Sequence, residues 1–336
     1  MGGHTGMNSQ KTIWINLDET KVDITYLDER FKEKGYHFIK KAVSPTEENA
    51  ILMGSQADAI ISTSEPWNKN TLAKIANAGR FIVRYGAGTD NIDIPEATRL
   101  GIPIANVPGA NAAAVAEVAM LHILNVGRRF AHCVMGCKAH VWPSTITGNE
   151  LDGKYLGLVG FGNIARQLAR MVSGFNVKIL AYDAFLDDNG KKQAKEMNVM
   201  LVDSIEDIFQ KSDIISLHIP LNDATFGSIN ERLFRLMKPT AYLINTCRGK
   251  VINEADLIIA LENKMIQGAG LDVLCDEPPK DDNPLLSMDN VFITSHMGAA
   301  SLESEYRSQV IIADSIIEFF DGKLPYNVIN KEVKIK

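Results

Sequence analysis

Three polar side chains placed just after apolar, strand-like runs could carry out carbonyl chemistry. Arg248 follows LINTC, Glu277 lies in the turn after LDVL, and His296 closes FITS; they are 29 and 19 residues apart. The planar donors of a guanidinium match carboxylate oxygens and can polarise an adjacent carbonyl. An imidazole gives or takes a proton near neutral pH, and a neighbouring carboxylate would orient it and favour its protonated form. Ligands of open α/β sheets bind beyond the carboxyl ends of the strands, which is where these three fall. Taken singly, each also reads as an ordinary surface or loop residue. Their shared position after successive strands points instead to carbonyl reduction beside a hydride donor.

A place for that donor is legible in LGLVGFGNIA. Gly160, Gly162 and Ala165 have the Gly-x-Gly-x-x-Gly/Ala spacing, between an apolar run and a helical one. The first glycine permits the tight turn, the second lets a pyrophosphate approach the backbone, and Ala165 allows close helix-to-strand packing. Amides at the start of the helix, at Asn163 and Ile164, would face the phosphates. The next strand-like run, VKILAYD, ends in Asp183, 21 positions beyond Gly162. A carboxylate there would accept bonds from the adenosine ribose hydroxyls and repel a 2′-phosphate, so the expected cofactor is NAD rather than NADP. A glycine turn followed by a helix-capping Asp is the plainer alternative, and the combined context weighs against it.

The elements that must position these residues form two series. From Lys11 to about Ile104, TIWINL, YHFIK, DAIIST, RFIVRYG and IPIANV alternate with helical or turn segments, the rhythm of a small parallel α/β unit. One helical stretch then runs from Asn111 to Trp142 and is ended by Pro143. Six further strands follow: KYLGLVGFG, VKILAYD, DIISLHIP, TAYLINT, GAGLDVL and NVFITSH, separated by helical patterns as a doubly wound sheet requires. Residues from about Glu303 to Phe320 have helical periodicity and could fold back onto the first series. The expected organisation is a discontinuous substrate domain, residues 8–110 and 300–336, around a cofactor domain, residues 111–299.

Composition narrows the function classes. The chain has 336 residues, 46% hydrophobic and 23% charged, which suits two globular domains and excludes a disulfide miniprotein or a disordered polymer. A formal net charge of −6 leaves no positive field to collect nucleic acid or anionic lipid. No run reaches the roughly 18 apolar residues of a membrane span. MGGHTGMNSQ reads as a loose polar tail. Four cysteines make no disulfide framework and fit a reducing cytoplasm. His132, Cys133, Cys137 and His140 gather within nine residues, but helix neighbours point about 100° apart, so no metal is expected.

Ordered motifs from about Tyr85 to Asn330 (RYGAGTDNID, NVPGANAAAVAE, LVGFGNIA, AYD, HIPLNDATFG, INTCRGKVINEADL, GLDVLCDEPP and TSHMGAAS) resemble the D-isomer-specific 2-hydroxyacid dehydrogenases, most closely the D-3-phosphoglycerate dehydrogenase-like branch. The resemblance implies two doubly wound parallel-sheet domains, a Rossmann cofactor domain and a flavodoxin-like substrate domain. It implies NAD-dependent hydride transfer at C2 of a small 2-hydroxy or 2-keto acid. Arg248 would bind the substrate carboxylate and carbonyl, His296 would be the acid/base, and Glu277 would raise its basicity. Tyr85, Gly86, Ala87 and Gly88 match the loop whose amides face the substrate carboxylate. Val115, Thr246, Cys247, Asp272 and Gly298 match the nicotinamide side, with Arg248 and His296 beside them. His218, Ile219, Pro220 and Thr225 match segments along the adenosine side.

A homodimer is expected by likeness, through the segment Asn111 to Trp142. Hydroxypyruvate or glyoxylate reduction and D-lactate oxidation are the alternative activities, and a non-catalytic NAD-sensing corepressor is the alternative class. Ala165 departs from the glycine that the family often has there. The chain stops at Lys336, before the C-terminal domains of longer phosphoglycerate dehydrogenases, so serine control through such a domain is not expected.

Overall fold

In the computed structural model the described residues are 10–76, 80–143 and 145–334. All of the expected polar tail except Gln10 lies outside them, as do both extreme ends of the expected outer domain. The chain divides into two compact units, Met1–Asn111 with Ser301–Lys336, and Ala112–Ala300.

The first unit holds five parallel strands: β1 (Thr12–Ile15), β2 (His37–Lys40), β3 (Ala59–Ser62), β4 (Phe81–Arg84) and β5 (Ile104–Ala105), in the order β2-β1-β3-β4-β5. This is the flavodoxin-like order. The sheet is covered on both faces, so its inner strands β1, β3 and β4 are largely apolar runs whose alternate residues enter different cores. Ile13 and Ile15 pack with Phe31, Phe81, Ile312 and Phe319, while Trp14 between them joins Trp67, Ile60 and Ile82. Helix Leu302–Phe320, capped by Ser301, supplies part of the first core, with Phe319 stacked on Phe81 at 4.6 Å. Asn330 adds a second anchor by accepting the Ile104 amide at 2.8 Å. The C-terminal segment is thereby built into this unit.

The second unit holds seven parallel strands: β6 (Tyr155–Val159), β7 (Lys178–Tyr182), β8 (Val199–Leu201), β9 (Ile214–Leu217), β10 (Tyr242–Asn245), β11 (Gly268–Leu271) and β12 (Val291–Ile293). Their order, β12-β11-β10-β9-β6-β7-β8, reverses between β6 and β9, the doubly wound switch point of a Rossmann sheet. The expected six strands become seven because β8 has only three residues, at the sheet edge, with Val199 alone turned inward. The expected single helix from Asn111 to Trp142 is also corrected. It is two helices, Ala112–Arg128 and Phe130–Lys138, broken at Arg129, whose φ of +51° is left-handed. The side chain of Asn125 accepts the Ala131 amide at 2.7 Å, and the Gly127 carbonyl accepts the Asn149 amide at 2.7 Å, so one freed donor and one freed acceptor are satisfied at the break. Among the described residues no helix is long and apolar enough to cross a membrane.

Candidate active site

The switch point is built by the glycine turn. β6 ends at Val159 and the chain reverses at Gly160, where φ is +90° and a Cβ would stand 2.5 Å from the His218 carbonyl oxygen, so only glycine fits. Gly162 is the N-cap of helix Asn163–Met171, and a Cβ there would meet nothing within 4 Å. That open side is the space a pyrophosphate needs beside the amides of Asn163 and Ile164. Ala165, in the first turn of that helix, is fully buried. Asp183, just past β7, accepts the Phe161 amide on Oδ2 at 2.8 Å and the Phe185 amide on Oδ1 at 2.9 Å. The acid is therefore oriented by the turn itself, with a lone pair still available on each oxygen.

The remaining expected cofactor residues divide by what they already bind. The His218 ring, in the segment that continues through Ile219 and Pro220, has both nitrogens buried without a partner, and burial pushes its pKa down to about 4, leaving it neutral. The Thr246 hydroxyl is also buried and unpartnered. These orphaned groups, the open side of Gly162 and the oriented Asp183 fit a dinucleotide. The Thr225 hydroxyl, by contrast, bonds to the Pro220 carbonyl at 2.6 Å within its own turn. Cys247 donates to Asn245 Oδ1 at 3.0 Å, and burial pushes its thiol up to about 11, which suits packing and not nucleophilic attack. Val115 lies beside Gly298, where a Cβ would approach its Cγ2 to 3.5 Å and Asp272 Oδ2 to 2.9 Å.

Arg248, Glu277 and His296 follow β10, β11 and β12, which are neighbours in the sheet. Arg248 donates from Nη1 to the Cys247 carbonyl at 2.7 Å, and its own carbonyl takes the Asn245 amide group at 2.9 Å, which fixes its turn. His296 Nδ1 and Glu277 Oε2 are 2.6 Å apart. Glu277 is held in turn through Oε1, which accepts the Leu274 amide at 3.1 Å, while Glu254 takes the next amide, that of Cys275. His296 and Glu277 border a pocket of about 580 Å³ whose other walls include Leu274, Pro279, Leu285 and Ile293. An apolar hollow with a hydrogen-bonded acid–imidazole pair at its rim can exchange protons with a bound small molecule.

In the first unit, the Tyr85–Gly88 loop is pinned by its carbonyls. The Tyr85 carbonyl accepts from Arg84, that of Gly86 from the Val107 amide, and that of Ala87 from Asn106. Gly86 has φ +145°, and a Cβ there would meet Arg84 Nη1 at 2.8 Å. Burial keeps the Tyr85 phenol protonated by pushing its pKa up. The amides of Ala87 and Gly88 make no hydrogen bond among the described residues.

Two side chains near His296 escape a reading of strand ends: Thr294 and His122 form a hydrogen-bonded line to Asp272. The only signal for them is a polar residue inside an apolar run. Among the described residues no three His, Cys, Asp or Glu side chains gather as a metal would require.

Comparison with known proteins agrees with this architecture. The profile for "D-isomer specific 2-hydroxyacid dehydrogenase, NAD binding domain" matches residues 120–298. A glyoxylate reductase of Korarchaeum cryptofilum is 34% identical over 88% of this chain and 89% of its own. A D-3-phosphoglycerate dehydrogenase of Methanocaldococcus jannaschii is 35% identical over 87% of this chain but only 55% of its own. The holo structure of Rhodotorula graminis D-mandelate dehydrogenase superposes with a TM-score of 0.85 at 26% identity, covering 96% of this chain and 98% of the other. The chain belongs to the D-isomer-specific 2-hydroxyacid dehydrogenases, NAD-dependent oxidoreductases that act on the CH–OH group of their donors.

Proposed function

We propose that this chain reduces a small 2-keto acid to the D-2-hydroxy acid, with glyoxylate and hydroxypyruvate as the first substrates to test. The observation that carries the reading is the 2.6 Å pair of His296 and Glu277, placed after β12 and β11, the two strands that succeed in the sheet the one presenting Arg248. NAD would be held by Gly160, Gly162 and the helix amides at its phosphates and by Asp183 at its ribose; when bound as NADH it supplies the hydride to C2. Arg248 binds the substrate carboxylate with its planar donors and polarises the neighbouring carbonyl. His296 donates the proton to the carbonyl oxygen from Nε2, because Nδ1 is engaged by Glu277. Glu277 fixes the ring orientation and stabilises the imidazolium before transfer. Within the first unit taken by itself, the amides of Ala87 and Gly88 are candidate donors to an anion. Oxidation uses the same groups in reverse.

Relatives named glyoxylate reductase and hydroxypyruvate reductase, at 34% and 38% identity, support the substrate choice. A panel of glyoxylate, hydroxypyruvate, phosphohydroxypyruvate, pyruvate and branched keto acids with NADH, ranked by kcat/KM, tests it. Glyoxylate or hydroxypyruvate should lead. No turnover of any member would sink the enzymatic reading in favour of an NAD sensor.

A homodimer in the cytosol completes the proposal. Helix Phe130–Lys138 buries none of its residues, and Phe130, Met135, Val141 and Trp142 expose between 61% and 83% of their surface, an apolar patch that a monomer rarely leaves uncovered. The four cysteines are unpaired, as a reducing compartment requires. Sedimentation should give twice the 37.0 kDa chain mass, and Trp142→Glu combined with Met135→Glu should shift it to the monomer. A wild-type monomer at micromolar concentration would refute the dimer.

A further inference from the structure

The loop that carries His296 converges on one buried carboxylate. Asp272, which follows β11 and is 1% exposed, accepts the Met297 amide on Oδ1 at 2.9 Å and the Gly298 amide on Oδ2 at 2.8 Å. Its own carbonyl accepts the His296 amide at 2.8 Å. Three consecutive amides thus end on a single residue. They have something to hold, because His296 has φ +54°, a left-handed backbone that a residue with a Cβ keeps only where its surroundings over-determine it.

Asp272 is itself oriented. Thr294, which follows β12, donates its hydroxyl to Asp272 Oδ1 at 2.6 Å, and His122 Nε2 lies 2.9 Å from the same hydroxyl oxygen. A threonine has one hydroxyl hydrogen, and a carboxylate already taking two amides accepts it. His122 must then donate from Nε2 and keep Nδ1 unprotonated. Nδ1 is buried without a partner, and burial lowers the pKa of the ring although the charge of Asp272 opposes that shift. The strand beneath makes room for the ring: a Cβ at Gly270 would stand 2.8 Å from His122 Cβ and 3.0 Å from Nδ1.

We propose that His122 is a positioning residue for His296: through Thr294 and Asp272 it fixes the left-handed turn that presents the imidazole to Glu277. The proposal rests on the acid/base assignment of His296 made above. His122 acts only through this line of hydrogen bonds, so its contribution depends on a donor at Nε2 and not on the volume of the ring.

His122→Leu and His122→Gln separate those two contributions. Leucine fills the buried space without a donor, whereas the glutamine amide can donate to Thr294. His122→Leu should lower kcat about ten-fold, the scale of one lost buried hydrogen bond, while KM for NADH changes less than about two-fold. His122→Gln should recover most of the loss. Thr294→Val and Thr294→Ser should repeat the contrast. Wild-type kcat in His122→Leu, or more activity in the leucine variant than in the glutamine one, overturns the proposal.

Nitrogen-15 NMR of the wild-type chain decides the same point without a variant that must fold: the Nε2–H tautomer of His122 is expected, and Nδ1–H overturns the line. His296→Ala is the control. Retained turnover in that variant means the acid/base assignment has failed and the positioning role falls with it. An inactive His296→Ala beside an unaffected His122→Leu overturns the positioning role alone.

Discussion

His296→Ala should lower kcat by a factor of about 10² to 10⁴, the range lost when a positioned general acid is removed. KM for NADH should change little, because the dinucleotide contacts proposed here come from the glycine turn and the end of β7. The expectation rests on the ring's two nitrogens having different tasks. Nδ1 is 2.6 Å from Glu277 Oε2, so proton transfer falls to Nε2. Glu277 is anchored in its turn by the Leu274 amide, so the ring is oriented before substrate arrives. Glu277→Gln should then cost less than removing the imidazole, about 10-fold to 100-fold in kcat, because the amide keeps a hydrogen bond and loses the charge that stabilises the imidazolium. A His296→Ala enzyme that folds, melts normally and turns over at near wild-type rate would refute the role.

What makes this site legible in the sequence is its position after apolar runs. LINT ends the buried strand β10, LDVL starts on the last residue of buried β11, and FITS continues the half-buried β12; a polar side chain just past such a run has left the core at the edge where ligands bind. The fingerprint is legible for a related reason: Gly160 answers a backbone requirement that only glycine meets, Gly162 leaves open the space beside the helix amides, and both needs are local. The missing parts depend on packing between distant segments. β8 is an edge strand in which Met200 and Leu201 are 46% and 41% exposed, so it has no alternation to read. The break at Arg129 carries neither glycine nor proline, and helical periodicity resumes immediately at Phe130. His122 falls in phase with the buried face of its helix, beside Val118, Ala119 and Ile123, and so reads as core. Only the approach of β11 and β12 to that helix gives it Thr294 as a partner.

Asp183→Ala should raise KM for NADH by about 10-fold to 100-fold and lower the preference for NADH over NADPH by a smaller factor, while kcat at saturating NADH changes less than about three-fold. The magnitude follows from losing charge-assisted hydrogen bonds to the ribose hydroxyls, each worth roughly 1.5–3 kcal/mol. Two effects are combined in this substitution. Asp183 also accepts the Phe161 amide from inside the glycine turn and the Phe185 amide from its own loop, so alanine leaves both amides unpaired and loosens the phosphate site as well. Asp183→Asn separates the two. Its side-chain oxygen can still hold the Phe161 amide, so the turn stays closed, but the negative charge that repels a 2′-phosphate is gone. The asparagine variant should therefore gain activity with NADPH while keeping a near wild-type melting temperature, and the alanine variant should lose affinity for both cofactors. Kinetics with NADH and NADPH together with thermal melts read out each contribution. Unchanged cofactor preference in both variants would remove Asp183 from the ribose site and leave the carboxylate a purely local role in closing the turn.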